Sequence, residues 1–169
     1  MSRRSLSAER LNSESQQKSI RTPTYSSSPS ASKVFDRWTI ICIFFASANI
    51  LNGLWMILAP KHWYYNLPAG VPIFGPLNYH FIRDLGAVFF LLGIGLLFAG
   101  FYLSYRLPLF TMNTAFSFSH MLVHVYEVVS GRVPLSMFWT DLPLVYVPAI
   151  IFLILNFILI KQLRGKPTL

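Results

Sequence analysis

Hydrophobic residues in this chain come in long uncharged or nearly uncharged runs, not in the short alternating patterns of a soluble fold, and the runs predict the elements. Positions 38–58, 85–103, 107–126 with an extension to 130, and 142–160 each hold a stretch long enough to cross a bilayer. At a helical rise of about 1.5 Å per residue, some 20 residues reach across a hydrocarbon core of about 30 Å. The predicted fold class is therefore all-α: a four-helix transmembrane bundle over residues 38–162. The first run stops before Pro60 and carries Trp38 and Trp55 near its edges, where interfacial anchors would sit. Short connections between the second and third runs, and between the third and fourth, predict antiparallel neighbours. Between residues 60 and 80, Trp63, Tyr64, Tyr65, Ile73 and Phe74 are broken up by Pro68, Gly70, Pro72, Gly75 and Pro76. That pattern reads as an aromatic loop in the headgroup layer, covering one end of the bundle.

Outside the runs the chemistry changes. Residues 1–37 interleave eleven serines with basic residues and have too few apolar side chains to offset ordering entropy, so they read as a disordered, solvated cytoplasmic tail. Residues 163–169 form a short basic C-terminal tail. Overall, 54% hydrophobic against 12% charged residues makes the bilayer the first partner. The net charge of +8 sits in the tails and at helix ends, with no folded basic face for nucleic acid. Lysine and arginine instead orient the chain. Seven in the N-terminal tail, Arg106, and Lys161, Arg164 and Lys166 fall on one side, eleven in all, against three, Lys61, Arg83 and Arg132, on the other. Both termini are expected in the cytoplasm. The single cysteine, Cys42, leaves no intramolecular disulfide and no thiolate metal cluster.

Within the third run, Asn113, Ser117, His120, His124 and Glu127 recur at spacings of four, three, four and three, which places them on one helical face. Lipid offers such a stripe no hydrogen-bond partner, so it should face the bundle interior or a wet cavity. Antiparallel order brings Arg83 and Asp84, at the head of the second run, and Asp141, at the head of the fourth, to a similar depth as His124 and Glu127, with His80 above them. The expectation is a polar pocket at the non-cytoplasmic end. Its candidate ligand-binding residues are Arg83, Asp84, Asn113, Ser117, His120, His124, Glu127 and Asp141. A structural alternative stands beside this one: boundary charges pair in the headgroup layer, and His120 bonds a neighbouring helix through Asn49 or Asn52.

An i, i+4 histidine pair can present two nitrogens to one ion, with Glu127 or Asp84 as an oxygen ligand. Met121, however, stands where a zinc peptidase carries its glutamate, and only a reversed His-x-x-Glu occurs where di-iron sites use Glu-x-x-His. No metal is assigned, and the cofactor is unknown. Gly86, Gly93 and Gly100, seven apart, form a ridge that lets another helix approach closely. Pro148 predicts a kink in the last run, and Asn156 an interhelical bond.

The run His80-Phe81-Ile82-Arg83-Asp84-Leu85-Gly86-Ala87, taken with His120-x-x-x-His124-x-x-Glu127, resembles small four-span bacterial membrane proteins of the DoxX-like and related uncharacterised groups, over about residues 36–162. The resemblance implies a four-helix membrane bundle, sometimes associated with quinone-linked redox systems, and carries over no catalytic residue. Two functions follow from the sequence. One is an accessory protein that binds a small ligand, lipid or membrane-protein partner at the polar pocket. The other is a membrane oxidoreductase or metal-dependent enzyme using His120, His124, Glu127 and Asp84.

Overall fold

The computed structural model describes residues 33–164. The disorder expected of the serine-rich tail falls on residues outside that range, apart from its last few positions. No strand forms among the described residues, and the chain is all-helical. Helix α1 (Arg37–Leu58) is followed by the short α2 (Pro60–Asn66), a 3-10 turn (Val71–Phe74), α3 (Tyr79–Phe101), α4 (Leu103–Val129), α5 (Ser136–Asp141), a π turn (Leu142–Tyr146) and α6 (Val147–Arg164). Three helical stretches are long and apolar enough to cross a membrane: α1, α3, and the continuous stretch from Ser136 to Arg164. Helix α4 is long enough but is diluted by its polar stripe, and it is not among the three.

Local signals explain the boundaries. Asp36 caps α1 by accepting from the Thr39 N–H at 3.0 Å, while the Thr39 hydroxyl accepts from the Asp36 N–H, a reciprocal box that satisfies two otherwise orphaned donors. Pro60 ends α1 and opens α2, where its missing N–H is not needed. Asn78 caps α3 from further upstream than the apolar run alone predicts. The run is read as starting at Leu85 because Arg83 and Asp84 interrupt its hydropathy, but the helix begins at Tyr79. Helix α4 closes on Gly131 at φ 72°, with the Arg132 N–H bonded to the Glu127 carbonyl and the Gly131 N–H to that of Val128. Both orphan carbonyls are thereby satisfied.

Helices α1 and α3 pack most extensively, α3 packs on α4, and α4 on α6. The glycine ridge makes the first contact close: a Cβ on Gly93 would lie 2.9 Å from the Ala46 carbonyl, and one on Gly53 of α1 would lie 2.6 Å from the backbone of α3. Phe152 of α6 reaches Phe45 of α1 at 4.6 Å and Phe110 of α4 at 5.3 Å, so aromatic side chains fill the space among α1, α4 and α6. Trp38 belongs to this core and not to the lipid interface expected of it. Its ring meets Phe110 edge-on, and its N–H donates to Gln162.

At this end of the molecule Arg106 is 2% exposed and ties three helices together. It donates to the Ala99 and Gly100 carbonyls at the end of α3 and to Asp36 Oδ2 at 2.7 Å. The Thr39 hydroxyl donates to the same Gly100 carbonyl. The irregularity in the last helix lies one turn before Pro148. Pro148 has no N–H for the Leu144 carbonyl, and just upstream the ladder shifts so that the Val147 N–H bonds Leu142. Asn156 makes the expected interhelical bond, with the Thr111 hydroxyl.

Candidate functional site

The polar stripe of α4 lies on its covered side. Asn113 is buried and donates to the Leu92 and Leu109 carbonyls, Ser117, His120, His124 and Glu127 are half-buried, and Met112, Leu122, Val123 and Tyr126 are exposed. Towards the α5 end of this stripe, His124 Nδ1 lies 2.8 Å from Asp141 Oδ2. Asp141 is 0% exposed, and the His124 side chain is 14% exposed. An ionised Asp141 can only accept, so in that state Nδ1 carries the hydrogen. Rings surround the pair. Phe74 meets His124 edge-on at 5.1 Å, His120 meets it at 4.7 Å, and His120 in turn stacks on Phe116 and faces Phe89.

The loop between α2 and α3 places Phe74 over this site. Gly70, at φ 60°, sits against the Met137 side chain of α5, and Gly75 takes φ 144°; both conformations favour glycine. The Tyr64 hydroxyl holds the far side of the loop through the Gly75 carbonyl. An aromatic cover at this end of the helices is what the sequence predicts.

Two polar atoms of the site have no hydrogen-bond partner among the described residues: Asp141 Oδ1 and the Tyr146 hydroxyl, both buried. Leaving a buried polar group unpaired costs about 1–3 kcal/mol, and more for a charged one, so each calls for an explanation. Tyr146 is missed by sequence reasoning. It lies in the π turn, where it is buried and stacks on Phe138 at 4.8 Å.

The other candidate residues go elsewhere. Glu127 pairs with Arg132 at 3.2 Å, and the Arg132 guanidinium lies over the Tyr126 ring. Arg83 reaches the Ile57 carbonyl and the Tyr79 ring. Asp84 pairs with His80 at 3.3 Å on an open surface, their side chains 64% and 90% exposed. His120 is flanked by rings and not by the expected asparagines; Asn52 accepts from the Trp63 indole instead. Three candidates, Glu127, Arg83 and Asp84, thus make surface or helix-end contacts, and the inward cluster is His120, His124 and Asp141, with Tyr146 added. Among the described residues, no three of His, Cys, Asp or Glu lie close enough together to hold a metal ion. A separate apolar groove of about 440 Å³ runs between the start of α4 and the end of α6, lined by Leu107, Thr111, Ile160, Leu163 and Arg164.

Chemically, the cluster offers a fixed carboxylate acceptor, an imidazole whose orientation that carboxylate sets, and a phenol donor, all behind aromatic walls. No family model matches the chain, and no curated protein or solved structure matches it either.

Proposed function

We propose that the protein is a multi-pass membrane protein, with α4 crossing the bilayer beside the three more apolar stretches and both termini cytoplasmic, and that it binds a small ligand at the His124–Asp141 pair under the Phe74 loop. One observation carries the binding reading: Asp141 is fully buried, yet one carboxylate oxygen has no partner, five residues from an equally unpartnered Tyr146 hydroxyl. A bound molecule that supplied the missing hydrogen bonds would remove the cost of both burials. The membrane reading draws on the three long apolar stretches and on the exposed Ile40, Phe44, Leu51 and Leu58 that line one side of α1 as a lipid-facing surface would. The resemblance to four-span DoxX-like proteins belongs to the same proposal. It fits four long helices of this size and adds no activity.

Native mass spectrometry of the full chain released gently from its membrane tests the binding. A small molecule is expected to be retained stoichiometrically and lost from the Asp141→Leu variant. The reading fails if no molecule is retained and none in a panel of neutral, cationic and anionic amphiphiles binds, or if Asp141→Leu retains the molecule unchanged.

A further inference from the structure

The two unpartnered atoms define what would complete them. A carboxylate oxygen has lone pairs and needs a hydrogen, whereas a phenol has a hydrogen to give and needs an acceptor. Asp141 and Tyr146 stand five residues apart across the π turn, in which the Val147 N–H reaches back five residues to Leu142, so one turn separates them and both face inward. Their neighbours are rings: Phe138 against Tyr146, and Phe74 and His120 against His124.

Resting on the proposed ligand site, we infer that its ligand is a neutral alcohol, whose hydroxyl donates to Asp141 Oδ1, accepts from Tyr146, and leaves its hydrocarbon part among the rings. Several other groups meet only half of the demand. An ammonium has no lone pair for the tyrosine hydrogen. An ether, ester or ketone has no hydrogen for the aspartate. A carboxylate or phosphate brings a second negative charge to a buried one. A hydroxyl can meet both demands with one oxygen, whereas an amide or a carboxylic acid needs two atoms to do so. The Oδ2 atom is not free to compete, because His124 holds it at 2.8 Å. Such an alcohol has two sources in a membrane: a single-chain alcohol dissolved in it, or a glycerolipid with a free hydroxyl. Entry requires the Phe74 loop to lift, and Gly70 and Gly75, both at positive φ, bracket that segment.

The full chain in phosphatidylcholine nanodiscs is titrated separately with 1-dodecanol, 1,2-dioctanoylglycerol, dodecyl methyl ether and dodecylamine, and the melting temperature is followed. A saturable rise is expected with dodecanol, with dioctanoylglycerol or with both, and none with the ether or the amine. Dodecanol alone assigns the free-alcohol source, and dioctanoylglycerol alone the glycerolipid source. Tyr146→Phe, which keeps the ring and the packing, should weaken that binding about tenfold, the worth of one hydrogen bond. Asp141→Asn supplies a second variant with little change of volume. An ether that matches the alcohol, or a Tyr146→Phe variant that binds alcohol equally, overturns the inference. A shift with dodecylamine alone sinks the alcohol class and leaves the small-ligand reading standing. If none of the four compounds shifts the melt the inference falls, and the retention experiment above decides the broader reading separately.

Discussion

Asp141 has no exposure and one partner, so the energetics of the site turn on His124. Removing the imidazole while keeping the carboxyl group leaves a buried polar group with no partner, which costs about 1–3 kcal/mol. His124→Leu should therefore lower unfolding stability by roughly that much, while His124→Leu with Asp141→Leu should recover most of it. Equal losses in the single and double variants, measured by denaturation in mixed detergent, would mean that the pair is not the source of the cost. Both residues are legible in the sequence, because four-three spacing puts His124 on the inner face and antiparallel order puts Asp141 at its depth. Tyr146 is not, since helical periodicity carries no sign of a π turn. Nor does depth alone separate Asp141 from Asp84. Both head an apolar run, but Asp84 sits on an open side of α3 with His80, and which side of a helix lacks a neighbour is decided by packing.

Packing of α1 on α3 is the most readable feature at the scale of elements, because glycines seven apart leave a groove that only another backbone fills well. The structure sorts the glycines by consequence. A methyl group at Gly53 would sit 2.6 Å from two backbone atoms of α3, so Gly53→Ala should destabilise by about 1–3 kcal/mol as the helices are forced apart. Gly95→Ala meets nothing nearer than Leu109 at 3.7 Å and should be neutral or gain up to about 1 kcal/mol of helix propensity. Matched thermal melts of the two variants test this contrast. Short elements were less legible: α2 is too brief to show periodicity, and its one signal is Pro60 at its first position. Asp36 looked like the end of a tail, but its partner Arg106 lies 70 residues away. Partial burial pushes the Asp36 carboxyl up, but hydrogen bonds from Arg106 and Thr39 and the Arg106 charge outweigh it and hold it below the ordinary value of 3.8. A depressed carboxylate contributes stability that is fully present above its unfolded value and lost as pH falls through its lower folded one. Stability should therefore decline on acidification below about pH 4, and Asp36→Asn should flatten that limb while lowering stability at neutral pH.

Whether the whole molecule has four crossings or three turns on α4. Its polar residues make it the least apolar of the long helices, but hydropathy counts a side chain wherever it points. Asn113 spends its amide hydrogens on the Leu92 and Leu109 carbonyls, the Thr114 hydroxyl bonds back to Phe110, His124 is paired with Asp141, and Thr111 bonds Asn156 of α6. Polar groups satisfied within the protein do not meet hydrocarbon, so the cost that excludes them from an isolated helix is largely absent here. Helix α4 also packs between α3 and α6, both apolar enough to span, and its 27 residues reach about 40 Å at about 1.5 Å per residue. A helix of that length held between two neighbours long and apolar enough to span is expected to cross if they do. Cysteine labelling checks this directly, because Cys42 is buried and can be replaced. In a Cys42→Ala background, Ser130→Cys should react with a membrane-impermeant maleimide on intact cells, and Ser104→Cys only after the membrane is opened. The reverse pattern would invert the orientation drawn from the lysine and arginine count. Labelling of both from one side would place α4 along the membrane surface and remove the fourth crossing, and with it the membrane-buried setting proposed for Asp141.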